Sequence, residues 1–438
     1  MARKGRAEME KKSFWQNYKL LIIMIGAMIL GCVAGLVFPK TETSAGATVL
    51  NPLGDLFLNM MFCVVVPMVF ASISGSIANM KSLKRGGKII GVTILTFVVT
   101  GAICAFIMFF LVKLYPPVLE KWTEGSAAFA ATAEFVGDAD INDHADFATM
   151  IVNFFTTSDF TGLLSRRAML PLIVFSMLFG FSVNLTGGSE SVMGKFLNGL
   201  TEVMMKFVEL ITYYAPIAFF AIFANLVATF GSNVIEGYSR SLILFYPLCF
   251  VYLFTAFPLY ARFGGGKGAA KVMFQHITRP AVTSLGTCSS VATIPTNMKA
   301  AEETGISKDV AEMVIPLGAT MHMDGSCFSA IMKIGFISMA LGLPFDLKSL
   351  PLYILVAVLA SVGMSGVPGG GYIGEFILCS VFFPAQMELA FPIAVAIGTI
   401  IDPPSTMINS SGDYVVSYIV SRFVDGKDWL QKQMKGEA

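Results

Sequence analysis

Apolar residues run along this chain in long blocks, and the polar positions between them are short and clustered. Apolar stretches at roughly 18–38, 50–78, 88–113, 168–186, 195–230 and 238–262 are each long enough, as helices, to cross a hydrocarbon core of about 30 Å. The pattern predicts uninterrupted membrane helices over these ranges. Beyond about residue 265 it changes. Apolar runs there are broken by Gly, Pro, Ser and Thr in "TSLGTCSSVATIPTNM" (283–298), "IPLGATMHMDGS" (315–326), "SVGMSGVPGGGYIGEF" (361–376) and "IIDPPSTMINSSGD" (400–413). Irregular backbone at membrane depth survives only where it is buried in protein or lines a wet cavity, because each unpaired peptide group in lipid costs several kcal/mol. Broken helices meeting near the midplane are the pattern of a secondary transporter, in which half-helix ends and freed carbonyls hold substrate and ions.

Composition agrees. The 438 residues are 55% hydrophobic and only 13% charged, against roughly 25% charged in ordinary soluble domains, so the chain reads as a polytopic membrane protein. Its net charge of +1 is segregated by loop, which speaks against a nucleic-acid partner. Seven cysteines without CxxC spacing read as free thiols, with no disulfide framework and no zinc site. None of His144, His276 and His322 is followed by Glu, which removes an HExxH zinc helix. The glycine-rich "RFGGGKGAAK" (262–271) lacks the GK[ST] ending of a phosphate loop. No nucleophile has an evident base, so the chain is not read as an enzyme.

Loop charges give an orientation. Residues 1–17 are basic and read as a cytoplasmic tail, as do residues 425–438, and Lys81, Lys84, Arg85 and Lys88 place their loop on the same side. The acidic loop 114–149, with Glu120, Glu124, Glu134, Asp138, Asp140, Asp143 and Asp146, is placed outside. The expected location is the cell's inner membrane, in contact with the lipid bilayer on all sides.

The order of a Ser-rich hairpin, "PLGAT" followed by "MDGS", a "GVPGGG" hairpin and a last helix with "TMINSSGD" resembles the glutamate-transporter family of dicarboxylate or amino acid:cation symporters. The match is specific from about 270 to 424 and looser in "VVPMVFASISGSIANM" (65–80) and "YYAPIAFFAIFA" (213–224). The resemblance implies an all-α fold of eight membrane helices and two re-entrant hairpins, hairpin one near 270–298 and hairpin two near 350–382. It implies a trimerising scaffold within 18–262 (about 18–80 and 150–230), interleaved with a third helix (88–113) and a sixth (238–262). Those two helices move with a transport core at 263–424 in an elevator mechanism, and the expected assembly is a homotrimer.

Residue by residue, the resemblance places Ser289, Ser290 and Asn409 on the substrate carboxylate and Asp402 on its ammonium group, with Thr406, Ser326 and Gly371 completing the pocket. A zwitterion at bilayer depth needs a carboxylate for its cation and dipole donors for its anion. Members that carry acidic substrates place an arginine three positions after the ammonium-binding aspartate. Here that position is Ser405, and no Lys or Arg occurs between Ser349 and Ser421. A second buried carboxylate without such a partner costs several kcal/mol. The expectation is therefore import of a small neutral amino acid such as Ser, Thr, Ala or Cys; an acidic amino acid or C4-dicarboxylate is the alternative within the same family. A channel or non-transporting receptor is the reading from another class, opposed by the intact Asp402, Asn409 and Asp413. Pro403 and Pro404 are unusual for the family and are expected to unwind the last helix locally.

For the coupling ion, taken to be Na+, the resemblance maps one site to Gly318, His322, Asn409 and Asp413, and a second to Thr320, Ser361, Val362 and Met364. A third uses an Asn and an Asp of an "NMDG" motif with a Thr-Ser pair. Here these positions are His322, Asp324 and Thr96-Phe97, so two side-chain ligands are gone. A protonated His322 beside Asp324 would supply the charge that the third sodium supplies elsewhere, because histidine carries charge near physiological pH. H+ is then a candidate second coupling ion, with Glu375 as a further proton candidate. Glu375 and Lys333 both fall in membrane segments, either as an ion pair between hairpin two and the seventh helix or as a counter-ion device.

Overall fold

The computed structural model describes residues 14–37, 45–79, 86–120, 122, 152, 156–165, 168–364 and 371–435. The basic N-terminus, Lys81, Lys84 and Arg85, and nearly all of the acidic loop lie outside these ranges. Within them the chain is helical, and no strand occurs. The first helices are α1 (Phe14–Val37), α2 (Ala45–Ala78), α3 (Gly86–Leu114), α4 (Met169–Leu185), α5 (Val192–Thr212), α6 (Ala215–Phe230) and α7 (Asn233–Gly265). Large apolar side chains such as Leu30, Leu95, Leu178, Phe254 and Leu259 are exposed on their outer faces. An aqueous surface would penalise such a belt, whereas hydrocarbon accepts it.

One expected helix is two. The stretch 195–230 bends by 56° between α5 and α6. Pro216 lies in the first turn of α6; it offers no N–H to the preceding turn, and a proline start fits a new helix better than a continued one.

Hairpin one comprises α8 (Ala269–His276), α9 (Thr278–Thr287) and α10 (Ser290–Thr304), turning at Cys288, whose φ of 49° is left-handed. At its base Glu303 bonds both Arg279, at 2.9 Å, and His276, at 3.0 Å, clipping the two arms together. The stretch expected as the seventh helix is α11 (Lys308–Met321) and α12 (Asp324–Ala340), broken at His322–Met323. Hairpin two is α13 (Leu350–Gly363) and α14 (Gly371–Phe382); its tip, 365–370, lies outside the described residues. The chain closes with α15 (Met387–Val424) and α16 (Trp429–Lys435).

These helices pack in two sets. In one, α1 lies along α6, and α2 against α4, α5 and α6. In the other, α15 is the hub, touching α3, α7, both arms of hairpin one, α11, α12 and α14. It is also the most buried long helix, with Phe391, Asn409, Asp413, Tyr414 and Tyr418 all under 5% exposed.

The expected unwinding at Pro403 and Pro404 does not occur: α15 is one helix of 38 residues that contains both, and Pro392. Pro404 removes the N–H that would meet the Ile400 carbonyl. That carbonyl instead accepts a hydrogen bond from the Tyr246 hydroxyl of α7 at 2.8 Å. A tertiary donor has replaced the missing helical one, which lets a proline sit in a buried helix without breaking it. Tyr246→Phe should therefore cost on the order of 1 kcal/mol of stability. Thermal unfolding in detergent should show that cost shrink in a Pro404→Ala background, where the backbone donor is restored.

Candidate substrate and cation site

Two helix faces define the site. On α15, Gly398, Asp402, Ser405 and Asn409 follow at intervals of four, three and four residues, which puts them on one side. On α12, Ser326 and Lys333 are seven residues apart and likewise share a face. The backbones nearly touch where these faces meet, since a Cβ at Gly325 would collide with the Ser405 carbonyl.

Asn409 is locked to the start of α12. Its Nδ2 donates to Ser326 Oγ at 3.1 Å and its Oδ1 accepts from the Ser326 N–H at 3.2 Å. One turn earlier, Thr406 Oγ1 donates to Asp402 Oδ1 at 3.0 Å. Ser289 caps α10 by accepting from the Ala292 N–H at 3.1 Å, and Ser290 is buried beside it. Hairpin one is held on α15 by Asn297, whose Nδ2 donates to the Ser410 carbonyl at 2.8 Å. Gly371 begins α14 on the other side. Ser290, Ser326, Asp402, Ser405, Thr406 and Asn409 thus lie along α15 and the elements packed on it.

One turn beyond Asn409 stands Asp413, and here the break in α11–α12 acts. His322 Nδ1 is 3.0 Å from Asp413 Oδ1, and its Nε2 is 3.2 Å from Asp324 Oδ1. Both ring nitrogens therefore face carboxylate oxygens, with all three side chains at most 1% exposed. Nε2 also meets Thr100 Oγ1 at 3.0 Å, and Asp324 Oδ2 accepts from the Tyr252 hydroxyl at 3.2 Å. Phe97 stacks on the imidazole, ring centroids 4.4 Å apart and planes 19° apart. A Cβ at Gly318 would overlap the Asp413 carboxylate, so only glycine leaves that group its place.

The expected cation ligands divide on this geometry. His322, Asp324 and Asp413 come together, with Asn409 one turn away. Asp413 Oδ2 has no hydrogen-bond partner, although it is buried, which leaves an anionic oxygen free for a cation. The Thr96 hydroxyl is committed to the Val92 carbonyl at 2.7 Å and that of Thr320 to the Leu317 carbonyl at 3.0 Å. The Gly318 carbonyl accepts the His322 N–H at 2.8 Å, and the Ser361 carbonyl accepts the Met364 N–H at 3.3 Å. The Val362 side chain lies outside the described residues.

Thr100 and Tyr252 belong to this cluster and were not anticipated. Thr100 was within reach of the pattern, one turn after Thr96 on the same face; Tyr252 sits in an apolar run with nothing to mark it. The suspected pair is present: Lys333 Nζ is 2.5 Å from Glu375 Oε1, joining α12 to α14.

Residues 20–423 match the model of the sodium:dicarboxylate symporter family. The chain belongs to that family. Among its relatives are a C4-dicarboxylate transport protein of Rhizobium leguminosarum, 26% identical over 96% of this chain and 92% of the relative. C4-dicarboxylate transport protein 2 of Pseudomonas paraeruginosa is 25% identical over 98% and 96%. The C4-dicarboxylate transport protein of Acinetobacter baylyi is 24% identical over 96% and 94%. The resemblance to the glutamate-transporter family is thus borne out, and the symporter is a multi-pass membrane protein rather than an enzyme.

His322 separates two buried carboxylates, so replacing it with the smaller, neutral Asn leaves an anionic cage. The expected result for His322→Asn is lower stability without sodium, by up to about 3–5 kcal/mol for an uncompensated buried charge. Added sodium should then raise the unfolding midpoint more than in wild type, compared by melts in NaCl and N-methylglucamine chloride.

Proposed function

We propose that this symporter imports a small C4-dicarboxylate with Na+. The bonded Asn409–Ser326 pair, one turn from Asp413, carries the reading. The Ser326 hydroxyl and the second N–H of Asn409 Nδ2 are donors for a substrate carboxylate, next to a buried Asp413 oxygen left for the driving ion. The relatives' names support the substrate class. Family membership supports sodium.

A second reading, a small neutral amino acid, is favoured by one observation. Asp402 is a carboxylate with a hydroxyl partner and no arginine at position 405. An α-ammonium group would satisfy it, while a dianion needs a cation that α15 does not provide.

The imidazole of His322 fills the space between Asp324 and Asp413, so no sodium ion occupies that position and the carrier couples to fewer sodium ions than a member with an asparagine there. The two packing sets fit a division of labour in which α1, α2 and α4–α6 form a fixed trimeric scaffold. The set around α15 then carries the site across the bilayer.

Uptake into proteoliposomes under separately imposed Na+ and H+ gradients tests the reading. Labelled succinate should accumulate with inward sodium, and Asn409→Ala, which removes a donor amide, should reduce that uptake about tenfold or more, equivalent to at least ~1.4 kcal/mol. Accumulation of serine with no competition by succinate or aspartate would replace the dicarboxylate reading by the second one. Replacing His322 by Asn should steepen the sodium dependence; an unchanged slope would remove the argument for the filled position.

A further inference from the structure

We propose that the end of α7 and the C-terminal segment of the chain form a binding site for an anionic phospholipid of the cytoplasmic leaflet. Its basic side chains hold the phosphate headgroup, and the acyl chains lie along the outer face of α7. The site is separate from the substrate and cation groups on α15.

The platform is built on the last turn of α7. The final carbonyls of a helix have no partner within it, and here three consecutive ones are taken by side chains from the end of the chain. Arg422 Nη1 donates to the Phe263 carbonyl at 2.7 Å, Trp429 Nε1 to that of Gly264 at 2.9 Å, and Gln431 Nε2 to that of Gly265 at 2.8 Å. A Cβ at Gly264 would strike the Tyr418 backbone, so glycine lets α7 and α15 close on each other. Segments 262–271 and 422–432 are thereby stitched side by side.

Positive charge collects on the surface this makes. The two segments hold Arg262, Lys267, Lys271, Arg422, Lys427 and Lys432 against two acids, Asp425 and Asp428. Arg422 is half-buried and the other five basic residues are exposed. Among the described residues none of the six lies within ion-pair distance of a carboxylate. Basic residues of hairpin one and α11 show the ordinary arrangement instead: Arg279 pairs with Glu303 at 2.9 Å and Lys308 with Glu312 at 3.7 Å. Asp425 is engaged by the Ser307 hydroxyl at 2.9 Å. Arg422 is fixed in place, its guanidinium 4.8 Å from the centroid of the Phe263 ring.

Apolar surface adjoins the cations. Leu259 is 65% exposed, Phe263 50% and Phe423 48%, and the two rings lie 6.2 Å apart. On α8, Lys271 and Phe274 are three residues apart and share a face. Phe274 stacks on Phe254 of α7, centroids 6.0 Å apart. Basic clusters just cytoplasmic of a span attract anionic lipid, and exposed rings beside them suit the membrane–water boundary. A free anion would use the cations alone, whereas a lipid uses both halves of this surface.

Thermal melts in neutral detergent with added phosphatidylglycerol, phosphatidylcholine or inorganic phosphate test the site. A ligand of the folded state raises its unfolding midpoint, so phosphatidylglycerol should do so and the other two should not. In Lys267→Gln/Lys271→Gln/Lys432→Gln, the phosphatidylglycerol needed for the same rise should increase roughly tenfold or more. Arginine at those three positions should keep the wild-type response. Lys88→Gln/Lys299→Gln/Lys308→Gln removes as much charge from other exposed positions and should also keep it. If the first triple fails to fold, Lys267→Gln/Lys271→Gln should show a several-fold increase. No rise with phosphatidylglycerol, an equal rise with phosphatidylcholine, or the same rise with inorganic phosphate would overturn the proposal. So would an equal loss of response in both glutamine triples, which would reduce the effect to net charge.

Discussion

A charge inside a membrane protein must have a partner, and the core of this symporter is arranged around one such demand. Asp324 and Asp413 arrive from different helices within reach of one imidazole, and neither is exposed to water. Bringing two carboxylates together in a poorly solvated interior is prohibitive unless a group between them offsets the repulsion. His322 is that group, and it stands where it does because the helix breaks there. The break directs the ring at α15, Gly318 clears the space for Asp413, and Phe97 covers the ring's face.

The second cluster follows from the same hub. α15 carries Gly398, Asp402, Ser405, Asn409 and Asp413 along one side, so substrate and ion groups share a rigid element. On the proposed reading, a substrate pocket on one face of a helix with the ion cluster a turn further on would give coupling a short path, through Asn409 and Asp413. The Lys333–Glu375 pair extends that line at its other end, so α15 passes three charged stations within the bundle.

Much of this was legible in the sequence. Three of the four broken apolar stretches located both hairpins and the interrupted helix, because glycine, proline and serine at membrane depth have few other uses; the fourth, 400–413, lies inside the unbroken α15. The bend at Tyr213–Ala215 and the continuity of α15 through Pro403 and Pro404 were not legible. Local proline chemistry predicts a break in both places, and only a donor from another helix, Tyr246, decides between them. Phe97 illustrates the same limit: alone it read as a lost ligand, whereas beside His322 it is the cover of a ring that has filled the cage. Contacts between residues more than two hundred positions apart, such as Thr100 with His322, leave no periodic trace.

The stacked ring of His322 has a bearing on how steep a gradient the carrier can build. An ion loaded outside and released inside draws on the membrane potential, about 2.3 kcal/mol per charge at 100 mV, or roughly fiftyfold in attainable accumulation. A ring fixed to the backbone makes no net crossing and contributes nothing to that ratio. On the proposed reading, filling the position with a side chain would trade concentrating power for economy, each substrate molecule being moved with fewer sodium ions to be pumped out again.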